Sequence, residues 1–278
     1  MSSVQITVLT SLAMVAFAGN SLLSRAALSH TSIDAASFTA VRLLAGALML
    51  WFMARSRQPK SDPVEPGSWA SALALFVYAA GFSFAYVSLP TATGALLLFG
   101  AVQMTMIGYG LGRGEQLQKG QIAGLMLALA GLIGLLLPGL SAPPLPGALL
   151  MVTAGVAWGI YSLRGRKVGD PIGVSAGNFR RAVPLAAGVS LLMLRSLSLD
   201  WVGIGYAAAS GALASGLGYA VWYTILPTLK ATQAATVQLS VPVIAALGGI
   251  VFLGEPITWR LALASIAILG GLALIIRA

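Results

Sequence analysis

The chain has 278 residues, of which 58% are hydrophobic and 8% charged. Soluble domains carry about 25% charged residues, so this composition excludes water as the solvent for most of the surface and indicates a lipid bilayer instead. There is no cysteine, and the one histidine, His30, falls in a predicted connection. Disulfides, thiolate nucleophiles and Cys/His metal sites are therefore excluded, and we expect no cofactor.

Hydropathy predicts an all-α integral membrane protein with ten transmembrane helices. A spanning helix needs about 20 mostly apolar residues, and breaks rich in charge, proline or glycine divide the chain into ten such segments. The predicted spans of the first half are Val4–Leu28, Ala35–Ala54, Trp69–Leu89, Thr91–Leu111 and Ile122–Leu137. Those of the second half are Gly147–Leu163, Ile172–Leu194, Trp201–Tyr223, Thr232–Leu253 and Leu261–Ile276.

The distribution of basic residues predicts the orientation of these spans. Ten spans put both termini on one side, and twelve of the sixteen Lys and Arg residues fall on that side. Only Arg25, Arg42, Arg195 and Arg260 fall on the opposite side. Because cytoplasmic connections are enriched in basic residues, both termini are predicted to be cytoplasmic, and the net charge of +9 requires no nucleic-acid partner.

A weak internal repeat recurs at an offset of 140 positions. Gly19 aligns with Gly159, and Glu115 aligns with Glu255, each glutamate directly following a glycine. The pattern predicts two halves, residues 1–138 and 139–278. Since each half has five spans, the halves must enter the membrane in opposite directions. Inverted repeats of this kind are typical of secondary transporters, whose substrate site lies near the midplane where the repeats meet.

Polar and aromatic side chains near mid-depth are the candidate substrate-binding residues, because polar groups are costly in hydrocarbon. All seven acids lie in connections or at span ends, so we expect transport down a substrate gradient without proton coupling. The uncharged polar and aromatic side chains predicted near mid-depth could form an aromatic cavity with a few polar groups that orient a small solute, or could simply pack or face lipid. They are Tyr78, Phe82, Phe99, Gln103, Trp158, Tyr161, Gln238 and Pro242.

Several further residues are given structural roles. Asn20 is expected to bond to a neighbouring helix in preference to substrate. For Arg42, two turns inside the second span, snorkelling outward or pairing with Asp34 ranks above attraction of a substrate carboxylate. Pro242 is expected to free a backbone carbonyl near Gln238.

The remaining expectations concern turns, glycines and the membrane interface. Glu115 and Glu255 are each expected to cap the helix that follows, and Gly19 and Gly159 to have structural or gating roles. Aromatic residues near span ends are expected at the headgroups; they are Trp51, Trp69, Trp201, Trp222, Tyr223 and Trp259.

The duplicated five-span plan, the Gly254-Glu255-Pro256-Ile257-Thr258 turn and the Trp158-Gly159 pair resemble the EamA-type branch of the drug/metabolite transporter superfamily. The resemblance extends over essentially the whole chain and, within that branch, is to the YddG group of amino-acid exporters, which are associated with aromatic amino acids. It implies a basket in which spans 1, 3, 4, 6, 8 and 9 surround a central cavity, with spans 5 and 10 outside, in a bacterial inner membrane. The proton-coupled multidrug members rely on an embedded glutamate, and the phosphate-ester members on basic cavity residues. Neither pattern is expected at mid-depth in this chain, which favours a zwitterionic or neutral substrate.

These observations predict an alternating-access exporter of amino acids, including large apolar or aromatic ones, whose substrate contacts Gln103, Gln238, Trp158 and Tyr78. The expected partners are a small-molecule substrate and membrane lipid; a monomer would suffice, and the oligomeric state is left open. An exporter of drugs or nucleobases would need the same aromatic cavity. A membrane scaffold would not need converging polar groups, and an intramembrane enzyme would need a nucleophile with a base or a metal site.

Overall fold

The computed structural model describes residues 2–56, 67–114, 117–137, 139, 142–165, 170–225, 228–229 and 237–277, and every regular element within these ranges is helical. In the first half the helices are α1 Ser3–His30, α2 Ala35–Arg55, α3 Trp69–Tyr86, α4 Thr91–Gly112 and α5 Lys119–Leu136. They continue with α6 Leu145–Gly165 and α7 Pro171–Leu192, and a short 3-10 turn, Leu194–Ser196, follows α7. The chain ends with α9 Ser240–Leu253 and α10 Trp259–Arg277.

The helix between α7 and α9 changes its winding midway. It consists of α-helix Trp201–Ala209, π-helix Ser210–Leu217 and α-helix Gly218–Ile225, which follow one another without a break and are together called α8. π-helical turns are rare and occur frequently at functional sites. The wide turn lies opposite α2, where Gly211 packs directly on the backbone carbonyl of Arg42. A side chain larger than hydrogen at position 211 would not fit there.

The predicted spans are confirmed as helices over the described residues, with ends shifted by a few residues; the start of the ninth span, Thr232–Leu253, lies outside the described residues. Within the described ranges, six helices, α1 to α6, are long and apolar enough to cross a membrane by length and composition, and α9 and α10 are shorter apolar helices. His30 is the last residue of α1 and does not lie in a connection. Pro242 is the third residue of α9, and residues 237–238 ahead of it are also helical, so the expectation that it frees a backbone carbonyl near Gln238 stays a prediction.

Short polar side chains begin several of these helices. Asp34 accepts from two backbone N–H groups at the start of α2, Ser68 from one at the start of α3, and Asp200 from that of Gly203 in α8. At the start of α7, Asp170 accepts from Ile172. These side chains satisfy N–H groups that a helix cannot pair internally. All four therefore mark places where a helix leaves the apolar interior.

The connections gather at two ends of the bundle. At one end, the backbone groups of Asp34 and Ser198 join the α1–α2 and α7–α8 connections. Arg25 reaches the α3–α4 connection at the same end by donating to the carbonyls of Tyr86 and Val87. At the other end of α3, Arg164 of α6 donates to Ser71 at 2.9 Å. This alternation agrees with a chain that crosses one layer repeatedly.

Helix contacts repeat between the two halves when each helix is matched with the one five places along the chain. Three helices pack directly on their counterparts: α2 on α7, α4 on α9 and α5 on α10. Other contacts recur between counterparts: α3 packs on α6 and α8 on α1, and likewise α4 packs on α6 and α9 on α1. Along α5 and α10 the contacts run in opposite directions, from Gly124 beside Gly271 to Gly131 beside Ala267. The two helices are therefore antiparallel.

Glycines allow some helix pairs to approach closely. A Cβ atom on Gly155 would lie 2.6 Å from the Ala101 side chain, and one on Gly159 would lie 2.8 Å from that of Thr105. Lipid provides no hydrophobic drive between helices, so this close backbone contact supplies van der Waals energy instead. Gly155 and Gly159 of α6 thus pack on α4, whereas a Cβ on Gly19 would meet nothing within 4 Å.

Candidate functional site

The Tyr78 hydroxyl is the centre of a buried hydrogen-bond network between four helices. Asn20 of α1 donates to it through Nδ2 at 3.1 Å, and Arg42 of α2 donates through Nη2 at 3.0 Å. On the far side of Asn20, the hydroxyl of Ser210 in α8 donates to Oδ1 at 2.6 Å. The network joins α1, α2, α3 and α8, and its members from the two halves meet at Asn20 and Ser210.

Arg42 is buried to an unusual degree for a charged residue, with a relative exposure of 1%. Its guanidinium lies 4.7 Å from the centre of the Phe82 ring and 5.2 Å from that of Tyr78. Within the described part of the chain, its Nη1 atom is buried and has no hydrogen-bond partner. The expectation that Arg42 snorkels outward is therefore wrong, because aromatic rings and a hydroxyl hold the guanidinium inside.

Asp34 is not the partner of Arg42 either. Its carboxylate accepts hydrogen bonds from the backbone N–H groups of Ala36, Ser37 and Ser198. Partial burial tends to raise the pKa of this carboxyl, but the hydrogen bonds outweigh burial and lower the pKa below its ordinary value. Asp34 thus stays ionised as the cap of α2 and ties the α7–α8 connection to it.

Aromatic rings continue from the hydrogen-bond network into the second half. The Trp158 ring of α6 lies 4.8 Å from Tyr78, 5.5 Å from Tyr161 and 4.9 Å from Tyr219, centre to centre. These separations are in the range where aromatic pairs attract each other. Trp158 is partly exposed, whereas the three tyrosines around it are buried. Trp158 is therefore the member of this group with accessible surface.

Four of the predicted site residues, Tyr78, Phe82, Trp158 and Tyr161, are thus brought together with Asn20 and Arg42. Asn20 bonds to two neighbouring helices, as expected. We call the set the Tyr78 cluster; its members are Asn20, Arg42, Tyr78, Phe82, Trp158, Tyr161, Ser210 and Tyr219.

The other predicted residues lie on α4 and at the start of α9, two helices that pack on each other. Phe99 and Gln103 are buried in α4, and no ring contact of Phe99 with the Tyr78 cluster occurs among the described residues. Pro242 is buried, and Gln238 is partly exposed ahead of α9. We therefore treat these four as a separate candidate group.

Sequence analysis missed several members and neighbours of the cluster. Tyr219 contacts Trp158, Phe17 and Phe179, and Ser210 begins the π-helix. Trp222 was predicted at the headgroups, but it is buried and packs edge-on against Phe17, so that expectation is wrong. The signal that could have found Tyr219 is the repeat, since it lies 141 positions after Tyr78.

Glu255 has a different partner from the one expected. Its Oε1 lies 3.2 Å from Nε of Arg25, and its Oε2 accepts from the backbone N–H of Thr91 at 2.8 Å. Thr91 begins α4, so Glu255 caps α4 and not the helix that follows it. α10 is capped instead by the Thr258 hydroxyl, which accepts from Leu261. Glu115 lies outside the described residues.

The chemistry of the Tyr78 cluster is that of polar groups packed among aromatic rings. It offers hydrogen-bond donors beside several aromatic faces, with Arg42 as the one charged member of the cluster. In the described ranges, no group of three or more His, Cys, Asp or Glu residues could hold a metal ion. A polar and aromatic cluster buried inside a bundle of apolar helices is typical of multi-pass membrane proteins, in which polar groups at depth are functional candidates.

Comparison with known proteins identifies the family. Residues 145–277 match the EamA-like transporter family. A protein of Pseudomonas aeruginosa, described only as uncharacterized, is 60% identical over 268 residues, covering 96% of this chain and 93% of the relative. The chain belongs to the EamA-like transporter family.

More distant relatives share only part of the chain or only the fold. The threonine/homoserine exporter RhtA of Salmonella typhimurium is 30% identical over 149 residues, which cover 52% of this chain and 50% of RhtA. An uncharacterized transporter of Archaeoglobus fulgidus is 27% identical over 59% of each chain. A solved crystal structure with 22% identity matches 99% of this chain and 98% of its own, with a TM-score of 0.65, and so shares the fold.

Proposed function

We propose that this chain is a secondary transporter that exports amino acids across the bacterial cytoplasmic membrane by alternating access. The Tyr78 cluster carries this proposal. Asn20, Arg42 and Tyr78 come from the first five helices, and Trp158 and Ser210 come from the second five. A site shared between two halves changes shape when one half moves against the other, which is how alternating access exposes a site to each side in turn.

The helix contacts support two halves of opposite direction. Corresponding helices pair with each other in α2–α7, α4–α9 and α5–α10, and α5 runs antiparallel to α10. Since α5 and α10 are the fifth helices of their halves, antiparallel packing is what inverted halves would produce. With both termini in the cytoplasm, as the basic residues indicate, export would proceed toward the end that carries Asp34 and Glu255.

The substrate class is supported by two independent observations. One relative exports threonine and homoserine, and the accessible ring of Trp158, which packs on Tyr78 and Tyr219, suits a large apolar or aromatic side chain. Gln103 and Gln238 are further proposed contacts for polar groups of the substrate. The Tyr78 cluster and the separate candidate group on α4 and α9 would then contact different parts of one substrate molecule.

Transport is proposed to occur without proton coupling. The described acids Asp34, Asp170, Asp200 and Glu255 all lie at helix ends and bond to backbone N–H groups there. None of them is available along the path through the interior.

Counterflow in proteoliposomes tests this function. Vesicles loaded with one unlabelled amino acid from a panel should accumulate that amino acid from outside in labelled form, with and without a protonophore. Trp158→Ala, which removes three ring contacts, should reduce initial counterflow by about tenfold or more. Trp201→Ala is the matched control, because Trp201 is 86% exposed.

Three results would contradict the proposal. If drugs or nucleobases gave counterflow and no amino acid did, the substrate would not be an amino acid. Counterflow abolished by the protonophore would overturn the absence of coupling. Equal loss in the Trp158→Ala and Trp201→Ala proteins would remove the Tyr78 cluster from the transport path.

A further inference from the structure

Arg42 is a buried cation whose bonding capacity is only partly used. The Phe82 ring lies on its guanidinium at 4.7 Å, and Nη2 donates to the Tyr78 hydroxyl at 3.0 Å. Its Nη1 atom has no hydrogen-bond partner in the part of the chain that the structure describes. Buried polar atoms are nearly always paired, so an unpaired guanidinium nitrogen in this position requires an explanation.

No described acid balances the charge of Arg42. Asp34 accepts from Ala36, Ser37 and Ser198, and Glu255 pairs with Arg25 and Thr91. The carboxylates of Asp170 and Asp200 cap α7 and α8. A buried charge without a partner is strongly unfavourable. The aromatic faces and one hydroxyl offset only part of that cost, so a negative group from another molecule would be stabilised here.

We propose that Arg42 binds the carboxylate of the transported substrate. This inference rests on the proposed function and narrows its substrate class to molecules with a carboxylate, such as α-amino acids. A guanidinium presents planar, paired donors that match the two oxygens of a carboxylate. Tyr78 holds the group in orientation, and the adjacent Trp158 and Tyr219 rings lie where the substrate side chain would extend.

A purely structural role for Arg42 makes a different prediction. If the guanidinium only supported Tyr78, replacing it would weaken transport of an amino acid and of its amide, which lacks the carboxylate, to the same extent. Carboxylate binding instead predicts that the acid is preferred over its amide and that this preference disappears with the guanidinium. Discrimination between the two analogues is therefore the informative measurement, and loss of transport alone is not.

The test measures inhibition of counterflow by matched pairs: L-phenylalanine with L-phenylalaninamide, and L-threonine with L-threoninamide. In the unmodified protein, the amide should compete about 10 to 100 times less well than the acid, the range expected for losing a charge-assisted hydrogen bond. Arg42→Gln should abolish this preference, and Arg42→Lys should retain part of it. Arg195→Gln, at an exposed position, should leave it unchanged.

The outcomes separate this inference from the proposed function. If amino acids give counterflow but the amides compete as well as the acids, the function stands and carboxylate binding is wrong. If Arg42→Gln keeps the preference, the inference is likewise overturned. If no amino acid gives counterflow, the proposed function itself fails. The comparison in the unmodified protein needs no variant, so it holds even where Arg42→Gln does not fold.

Discussion

Replacing Gly124 by alanine should force α5 and α10 apart. A Cβ atom at this position would lie 2.5 Å from the carbonyl oxygen of Gly271, whereas ordinary van der Waals contact begins at 3.4 Å. Because the obstacle is backbone, no side chain can rotate away, and the helices must separate by about 1 Å. The interface would then lose much of its dispersion energy, and such overpacking costs about 1–3 kcal/mol.

A matched control lies on the same helix. A Cβ on Gly134 would meet nothing within 4 Å, so Gly134→Ala gains the helical preference of alanine, about 1 kcal/mol, without a clash. The pair therefore separates the steric effect from helix propensity. On α10, Gly271→Ala and Gly270→Ala form a second such pair, since a Cβ on Gly271 would lie 2.7 Å from Ala128 N and one on Gly270 would meet nothing.

The measurement is the free energy of unfolding in mixed detergent micelles as the fraction of denaturing detergent rises, followed by far-ultraviolet circular dichroism. Gly124→Ala should be less stable than Gly134→Ala by about 1–3 kcal/mol. Equal stabilities for these two variants would refute the reasoning, because they would show that the two backbones do not approach as closely as described.

Two further predictions concern the helix ends. Glu255→Gln should destabilise the fold by about 0.5–2 kcal/mol, since it weakens the cap of α4 and the ion pair with Arg25; a double-mutant cycle with Arg25→Gln measures the coupling, and additive effects would contradict the ion pair. In the folded protein the pKa of Asp34 lies below its ordinary value of 3.8. The ionised carboxylate therefore stabilises the fold fully above pH 3.8, and this stabilisation is lost as the pH falls through the lower folded pKa. The stability difference between the unmodified protein and Asp34→Asn should therefore shrink at low pH, and a constant difference would exclude this role.

The ten helices could be predicted because their signal is local. Each helix is recognised by the length of its apolar run. Its ends are marked by N-capping residues, such as Asp34 and Asp200, and by breaks in composition that lie within a few positions of the end. Close packing through Gly155 and Gly159 could also be predicted from sequence, since small residues four positions apart on a helix face the same neighbouring helix.

The site could be predicted only in part. Tyr78 and Trp158 were found because aromatic and polar residues are few at mid-depth, but their ring contact depends on how α3 packs on α6. Arg42 was misjudged because snorkelling is the usual solution for a lone arginine in a helix, and its aromatic partner Phe82 comes from another helix. The role of Glu255 was wrongly predicted because the helix that follows it in sequence was chosen, whereas its carboxylate contacts the start of α4 in space.

By itself, the sequence determined that this protein is embedded in a bilayer, how many apolar helices it forms and, to within a few residues, where most of them begin, because hydration and backbone hydrogen bonding act on neighbouring residues. Only the tertiary structure decided which faces meet. The bond between Asn20 and Tyr78 joins residues 58 positions apart, and that between Asn20 and Ser210 joins residues 190 apart. Such pairs form only when helices pack, and packing depends on the shapes of whole helix surfaces at once.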